Sequence, residues 1–275
     1  MISFIFASMK NKTPFSVALL IMLLASCSGF NKVVKSDNYE KKFLVAGEMY
    51  DKKSYMRAIT LYEQVYQRVP KTAEGEVAYY RIGKSYYAEK DYSMAGYYFG
   101  SFYTRFTFSP KAEECLFLSA ICSVKNSPEF SLDQNDTELA INDLQQFVNK
   151  FPNSDLIDSC NHEMDKLRLK LEKKEYEVVK LYDKTENFKS AVVTSKTFLE
   201  TYPGSKFKEE VAFILVSSSY MLTKNSIEEK KKERIVETLE RYRNFVAEYP
   251  NSRYKTEVIT ISDKMEKELQ AFTSK

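Results

Sequence analysis

Tryptophan is absent from this chain of 275 residues, glycine and proline number seven each, and there is a single histidine. Gly and Pro together supply about 5% of the residues, where an average chain carries roughly 12%. Collagen-like and Pro/Gly-rich disordered chains are excluded. An all-β sandwich or barrel is disfavoured, because its many tight turns need residues that tolerate positive φ. What remains favoured is a long, loop-poor helical protein. The glycines fit neither G-x-G-x-x-G nor G-x-x-x-x-G-K-[ST], so no phosphate-cradling loop is encoded. No Gly-x-Ser-x-Gly elbow is present, and His162, followed by Glu163 on a predicted helix, reads as a surface residue rather than a base. Carboxylates are spread along solvated helix faces, and none pairs with another as acid and base. The reading is of a non-enzyme without cofactor or metal.

Charge of one sign is also lacking: 41 Lys and Arg stand against 38 Asp and Glu, a net +3 that draws the chain to no nucleic acid. Cysteine is sparse. Cys27, Cys115, Cys122 and Cys160 contain no Cys-x-x-Cys pair, which excludes a zinc site. Cys115 and Cys122 are seven residues apart on one helix, about 10.5 Å of rise and too far for a disulfide; buried free thiols are expected, the alternative being a bond from Cys160 to one of them if adjacent repeats place it there. Aromatic residues, by contrast, are plentiful, with 20 Tyr and 19 Phe. Half of that area carries a hydroxyl that prefers a groove, a surface or a hydrogen-bond partner.

The start of the chain has the marks of secretion. Lys10 and Lys12 precede an uncharged run from Thr13 to Leu24, about 12 residues, too short for a spanning helix of roughly 20 but suited to a signal-peptide core. It runs into Leu24-Ala25-Ser26-Cys27, which resembles the bacterial lipobox, where the Cys thiol receives diacylglycerol. Cys27 is therefore the expected lipidation site and first mature residue; the alternative is a chance thiol beside an ordinary signal or anchor helix. Met9-Lys10-Asn11-Lys12 would itself start a normal signal, so either Met1 or Met9 can initiate. Three acyl chains, at about 0.8 kcal/mol per buried CH₂, would anchor the protein firmly. Ser28 supplies no retention Asp, which favours the outer membrane, with the folded part facing the periplasm.

The remainder is repetitive. With Ala58, Ala95, Ala140, Ala191 and Thr238 as reference, seven residues later stand Val65, Phe102, Phe147, Phe198 and Phe245. Eleven later come Val69, Phe106, Phe151, Tyr202 and Tyr249; twelve later Pro70, Thr107, Pro152, Pro203 and Pro250; fourteen later Thr72, Ser109, Ser154, Ser205 and Ser252. A small reference residue lets two helices approach, and offsets of four, seven and eleven stay on one face of a 3.6-residue helix. Pro ends each helix, and the later Ser or Thr can cap the next. Tyr79-x-x-Ile82-Gly83-x-x-Tyr86 followed by Ala95 and Phe99 resembles the tetratricopeptide pattern, with Tyr in place of Trp and Thr107 at the final Pro position.

The predicted fold is all-α, a right-handed α-solenoid of five tetratricopeptide-like helix pairs with a C-terminal capping helix. The expected organisation is a signal peptide 1–26, a lipidated linker 27–36 and a solenoid 37–275. Its units are about 37–70, 71–108, 109–152, 153–203 and 204–250, with a final helix 253–272. Ser127 to Gln134 reads as an inserted surface loop, Asn225 to Arg234 as a helix extension, and Asp155 to Tyr182 as one long helix. In such stacks the first helix of each pair lines the inner face. That face should carry Phe43, Gly47 and Tyr50 in unit one and Val77, Tyr80, Lys84 and Tyr87 in unit two. Phe43, Tyr50, Tyr80 and Tyr87 would wall a groove for an extended, aromatic-rich peptide; the alternative is that the rings pack between repeats.

The lipobox, the repeats, Tyr79-Tyr80-Arg81-Ile82-Gly83, the Ser127–Gln134 insert and Phe151-Pro152-Asn153-Ser154 together resemble the BamD outer-membrane assembly lipoproteins, especially their Bacteroidota branch. The resemblance covers nearly the whole mature chain. It implies a lipid-anchored scaffold of the machinery that inserts β-barrel proteins into the outer membrane. Its C-terminal units would dock the POTRA domain of a BamA-like protein, and its N-terminal units would receive the C-terminal signal of unfolded barrel substrates. Lys84 is the expected partner for a terminal carboxylate. The rival readings are another periplasmic tetratricopeptide adaptor, such as one serving cell-wall synthesis, and a SusD-like glycan-binding lipoprotein. The latter family is about twice as long and stacks sugars on Trp, which this chain lacks.

Overall fold

The computed structural model describes residues 29–273, which contain helices and no strand. The lipobox and Cys27 lie outside the described residues. A helical stretch at residues 29–34 precedes α1 (Tyr39–Asp51) and α2 (Tyr55–Arg68), α3 (Ala73–Ala88) and α4 (Tyr92–Arg105), and α5 (Ala112–Asn126) and α6 (Asn135–Lys150). Then follow α7 (Ile157–Lys184) and α8 (Phe188–Thr201), α9 (Lys208–Lys224) and α10 (Glu228–Glu248), and a last helix, α11 (Lys255–Thr273). The chain is an α-solenoid of tetratricopeptide-like helix pairs, the class that the repeat phase predicts.

Two compact units form. Unit 1 takes the chain up to Ser127 together with Asn135–Asn161, and unit 2 takes Pro128–Gln134 and the chain from His162 onward. In unit 1 successive helices from α1 to α6 pack on one another; in unit 2 the same holds from α8 to α11, with α9 also touching α11. The reference residues explain this close packing, since Ala58, Ala95, Ala140, Ala191 and Thr238 are all fully buried. Val65, Phe102, Phe147, Phe198 and Phe245, one helical face further on, are buried as well. Gly83 is needed for the α3–α4 contact, because a Cβ there would stand 2.9 Å from the Phe99 ring. Gly75 has still less room: its Cβ would meet the Val69 carbonyl oxygen at 2.0 Å.

Four of the five second helices end in the same way. Val69, Phe106, Tyr202 and Tyr249 leave the helix with φ between −122 and −130° and ψ between 51 and 66°. Each N–H still donates to the carbonyl four residues back. The Ser or Thr three residues on behaves in two ways. Thr72 caps α3 as expected, its Oγ1 accepting from Gly75 N–H at 3.2 Å. Ser109, Ser205 and Ser252 sit three residues before their helices, so each hydroxyl accepts only from the N–H two residues later. Their hydroxyls are thereby free to reach the preceding pair, donating to Glu76 at 2.6 Å, Glu172 at 2.6 Å and Glu209 at 2.7 Å.

The turns inside the pairs rely on left-handed residues other than glycine. Lys53, Lys90 and Glu186 have φ of 59, 63 and 57°. At each, the following N–H (Ser54, Asp91, Asn187) reaches back five residues to the helix, the closure that normally recruits Gly. The 28-residue α7 realises the long Pro- and Gly-free run, and the Asn225–Arg234 segment turns at 225–227 before starting α10 at Glu228. The Ser127–Gln134 insert is a loop that belongs largely with unit 2. Lys170 and Lys174 of α7 donate to the carbonyls of Pro128 (2.8 Å) and Leu132 (2.5 Å), while Lys173 lies 4.1 Å from the centroid of the Phe130 ring. Residues 29–34, read from sequence as part of a linker, instead pack Val33 into the unit 1 core and place Phe30 beneath Arg57.

Candidate functional site

The first helices of the three pairs in unit 1 bring one polar and aromatic cluster together. Tyr50 comes from the end of α1, Tyr80, Arg81 and Lys84 from the middle of α3, and Glu114 from the first turn of α5. Tyr80 donates its hydroxyl to Glu114 Oε1 at 2.8 Å, and Lys84 Nζ lies 3.3 Å from the same oxygen. Lys111 covers the Tyr80 ring at 4.4 Å. The Arg81 guanidinium lies 5.1 Å from the Tyr50 ring centroid and 6.0 Å from that of Tyr62, and donates to Tyr62 Oη at 2.7 Å. Gly47 makes room for it, since a Cβ there would stand 3.3 Å from Arg81 Nη1.

Of the residues expected to form the groove, Tyr50, Tyr80 and Lys84 meet in this cluster. Phe43 packs edge-on against Tyr62, 6.0 Å away, on the unit 1 core. Tyr87 rests on Tyr92 and Phe99, with ring separations of 5.4 and 6.4 Å. All five are half-buried. Lys84 is already paired with Glu114. Arg81, which the sequence reading did not select, forms no ion pair with a described residue. Its neighbours Gly47, Tyr50 and Tyr62 come from two other helices, so nothing in its local sequence marked it.

Electrostatics keep the cluster's protonation fixed near neutral pH. Burial, then the bond to Glu114, pushes the Tyr80 hydroxyl well above the ordinary tyrosine range. Burial also raises Tyr50 and Tyr62, although the Arg81 charge pulls both the other way. At Arg81 burial is the largest influence and favours the neutral form, but the Tyr62 hydrogen bond and the charges of Tyr62, Asp51 and Tyr50 together outweigh it, and the group is held above its ordinary value. The cluster therefore presents a charged guanidinium among phenol rings.

Unit 2 has a different concavity, about 540 Å³ between α8, α9 and α10. Its walls are charged: Lys208 pairs with Glu248 at 2.5 Å, Arg241 with Glu237 at 2.7 Å, and Lys196, Glu200 and Glu240 complete them. The junctions of the two units also differ. Where Lys111 covers Tyr80 in unit 1, unit 2 stacks Phe207 on Tyr176 (4.1 Å, 8°) and Tyr254 on Phe213 (4.1 Å, 7°). Cys115, Cys122 and Cys160 are buried free thiols, pushed by burial to about 12, 12 and 11. Among the described residues no group of three metal-ligating side chains occurs, and no helix is long and apolar enough to cross a membrane.

The family described as "Outer membrane lipoprotein" (YfiO) matches residues 36–193 and again 179–271. The chain belongs to this family. It is 22% identical over 207 residues to an outer membrane protein assembly factor BamD of Caulobacter vibrioides, covering 74% of this chain and 68% of the relative. Among solved structures it is similar to the TPR2AB domain of yeast Sti1, in a complex with pHSP90, at 13% identity and a TM-score of 0.40, covering 83% and 98% of the two chains. It is also similar to the Thermus thermophilus tetratricopeptide protein TTC0263, at 13% identity and a TM-score of 0.30, covering 82% and 98%.

Proposed function

We propose that this YfiO-family chain is a lipid-anchored scaffold of the outer-membrane β-barrel assembly machinery, held through Cys27. In this reading unit 1 receives the C-terminal segment of unfolded barrel proteins, and unit 2 docks the POTRA domain of a BamA-like partner. Family membership and the BamD relative support the assembly role. The observation that carries the receiving site is Arg81, a half-buried guanidinium without a carboxylate partner among the described residues, set between the rings of Tyr50 and Tyr62. A peptide ending in an aromatic residue offers both a ring for Tyr50 and Tyr80 and a terminal carboxylate that an arginine fork holds in two hydrogen bonds. Lys84 then serves by holding Glu114 away from that carboxylate. The charged cleft of unit 2 suits the polar surface of a folded partner.

Binding of a labelled peptide with a free C-terminal aromatic residue tests the site. Arg81→Gln should weaken it about tenfold, equivalent to 1.4 kcal/mol, and amidating the peptide should cost the wild type as much but the variant little. Undiminished capture by Tyr80→Ala, Tyr87→Ala and Arg81→Gln together would overturn the assignment. Affinity purification from solubilised outer membrane should recover a POTRA-barrel protein; wall enzymes or glycan instead would favour the rival adaptors.

A further inference from the structure

The start of the described chain bears on where unit 1 lies. Phe30 sits beneath Arg57, with 5.4 Å from the guanidinium carbon to the ring centroid, and Arg57 is in the first turn of α2. Gly29 is therefore at the edge of unit 1 that carries the α1–α2 turn. Helices α2 and α4 run side by side in the same direction, as the Tyr98–Glu63 and Arg105–Tyr66 hydrogen bonds show. The α3–α4 turn accordingly lies on the same edge. Cys27 precedes Gly29 by two residues, a covalent reach of about 7 Å. An acylated Cys27 cannot let this edge move far from the bilayer.

The side chains there fit a lipid surface. Lys53 and Lys90 occupy equivalent left-handed positions in the two turns, where glycine would be free of strain; the equivalent residue in unit 2 is Glu186. Strained positions persist where function requires the side chain. Met56 (58% exposed), Met94 and Tyr97 (58%) stand on the opening turns of α2 and α4 with no core to enter. Of the nearby acids, Asp91 caps α4 by accepting from Met94 N–H at 3.0 Å, while Asp51 and Glu89 are exposed like the two lysines.

We propose that this turn edge of unit 1 rests on the bilayer that holds the Cys27 acyl chains, with Lys53 and Lys90 on lipid phosphates and Met56, Met94 and Tyr97 in the headgroup–acyl boundary. The inference rests on the reading of Cys27 as the anchor. The chain's lack of tryptophan supplies the test, because any single Trp becomes a unique reporter. The full lipidated chain carrying Met56→Trp, Met94→Trp or Phe108→Trp is reconstituted into phosphatidylethanolamine–phosphatidylglycerol vesicles with and without brominated acyl chains. Phe108 is wholly exposed in a turn between pairs, at the opposite edge. Brominated lipid should quench Met56→Trp and Met94→Trp at least about twofold more than Phe108→Trp, as for side chains seated in that boundary. Equal quenching at all three positions, with the protein still on the vesicles, overturns the proposal alone. Failure of the wild-type chain to stay on vesicles overturns the anchor reading and the proposal with it.

Discussion

At the junction after α4, Ser109 reaches Glu76 and a lysine lies over Tyr80; after α8 and α10 the same serine–glutamate bond recurs, but an aromatic ring stacks where the lysine was. The backbone device is common to both units, and the covering side chain is not. In unit 2 Tyr176 and Phe213 are sealed by rings 4.1 Å away. In unit 1 Tyr80 keeps a charged cover from Lys111 and a hydroxyl bonded to Glu114, beside Arg81. Unit 1 thus lacks the ring stack at the place where the Arg81 cluster forms, and a single position, residue 111 in unit 1 and residue 207 or 254 in unit 2, carries the difference.

Breaking the sealed junction should have the largest effect. Tyr176→Ala empties a nearly buried site and should cost on the order of 3 kcal/mol, whereas Lys111→Ala should cost no more than about 1 kcal/mol for an exposed cation–π contact. Because two units need not unfold together, amide hydrogen exchange resolved by helix is the proper readout: α9 should lose protection in the first variant, while α3 and α5 stay protected in the second. Next in size, Ser205→Ala leaves the nearly buried Glu172 carboxylate short of a donor and should cost about 1.5–3 kcal/mol, read from the same exchange data. Lys111→Phe should give unit 1 the unit 2 junction, adding about 1 kcal/mol of protection to α3 while weakening capture of the aromatic-ended peptide. If it left peptide binding unchanged, the open junction would have no part in recognition. The smallest effect belongs to Glu186→Gly, which relieves a left-handed residue and should stabilise unit 2 by about 0.5–1 kcal/mol, measured as an upward shift in thermal midpoint.

Much of this was legible in the residues because the repeat signal is a packing signal. Ala58, Ala95, Ala140, Ala191 and Thr238 were aligned by spacing alone, and all five prove fully buried. The BamD resemblance was legible from the combination of lipobox, repeats and insert, since the repeat alone is shared by many scaffolds. The candidate site was only half legible. Tyr50, Tyr80 and Lys84 fall on the first-helix face by periodicity, but Arg81 acquires its meaning from Gly47 and Tyr62 on other helices. Periodicity cannot report a distance between helices. The lysine turns were missed for an opposite reason: scarcity of glycine argued against positive φ, and the chain adopts it with Lys53, Lys90 and Glu186 instead. Residues 29–34 were read as linker because they precede the first repeat unit, yet Val33 joins the unit 1 core with Phe30 and Val34 packed against it.

The shared exit conformation of Val69, Phe106, Tyr202 and Tyr249 has a further consequence for how such a chain can change over generations. Where a second helix hands the backbone on at these angles, the pair it closes is an interchangeable cassette, removable or duplicable without redesigning the joint it leaves behind. Gene segments cut at these residues would yield shorter and longer scaffolds with the same joints.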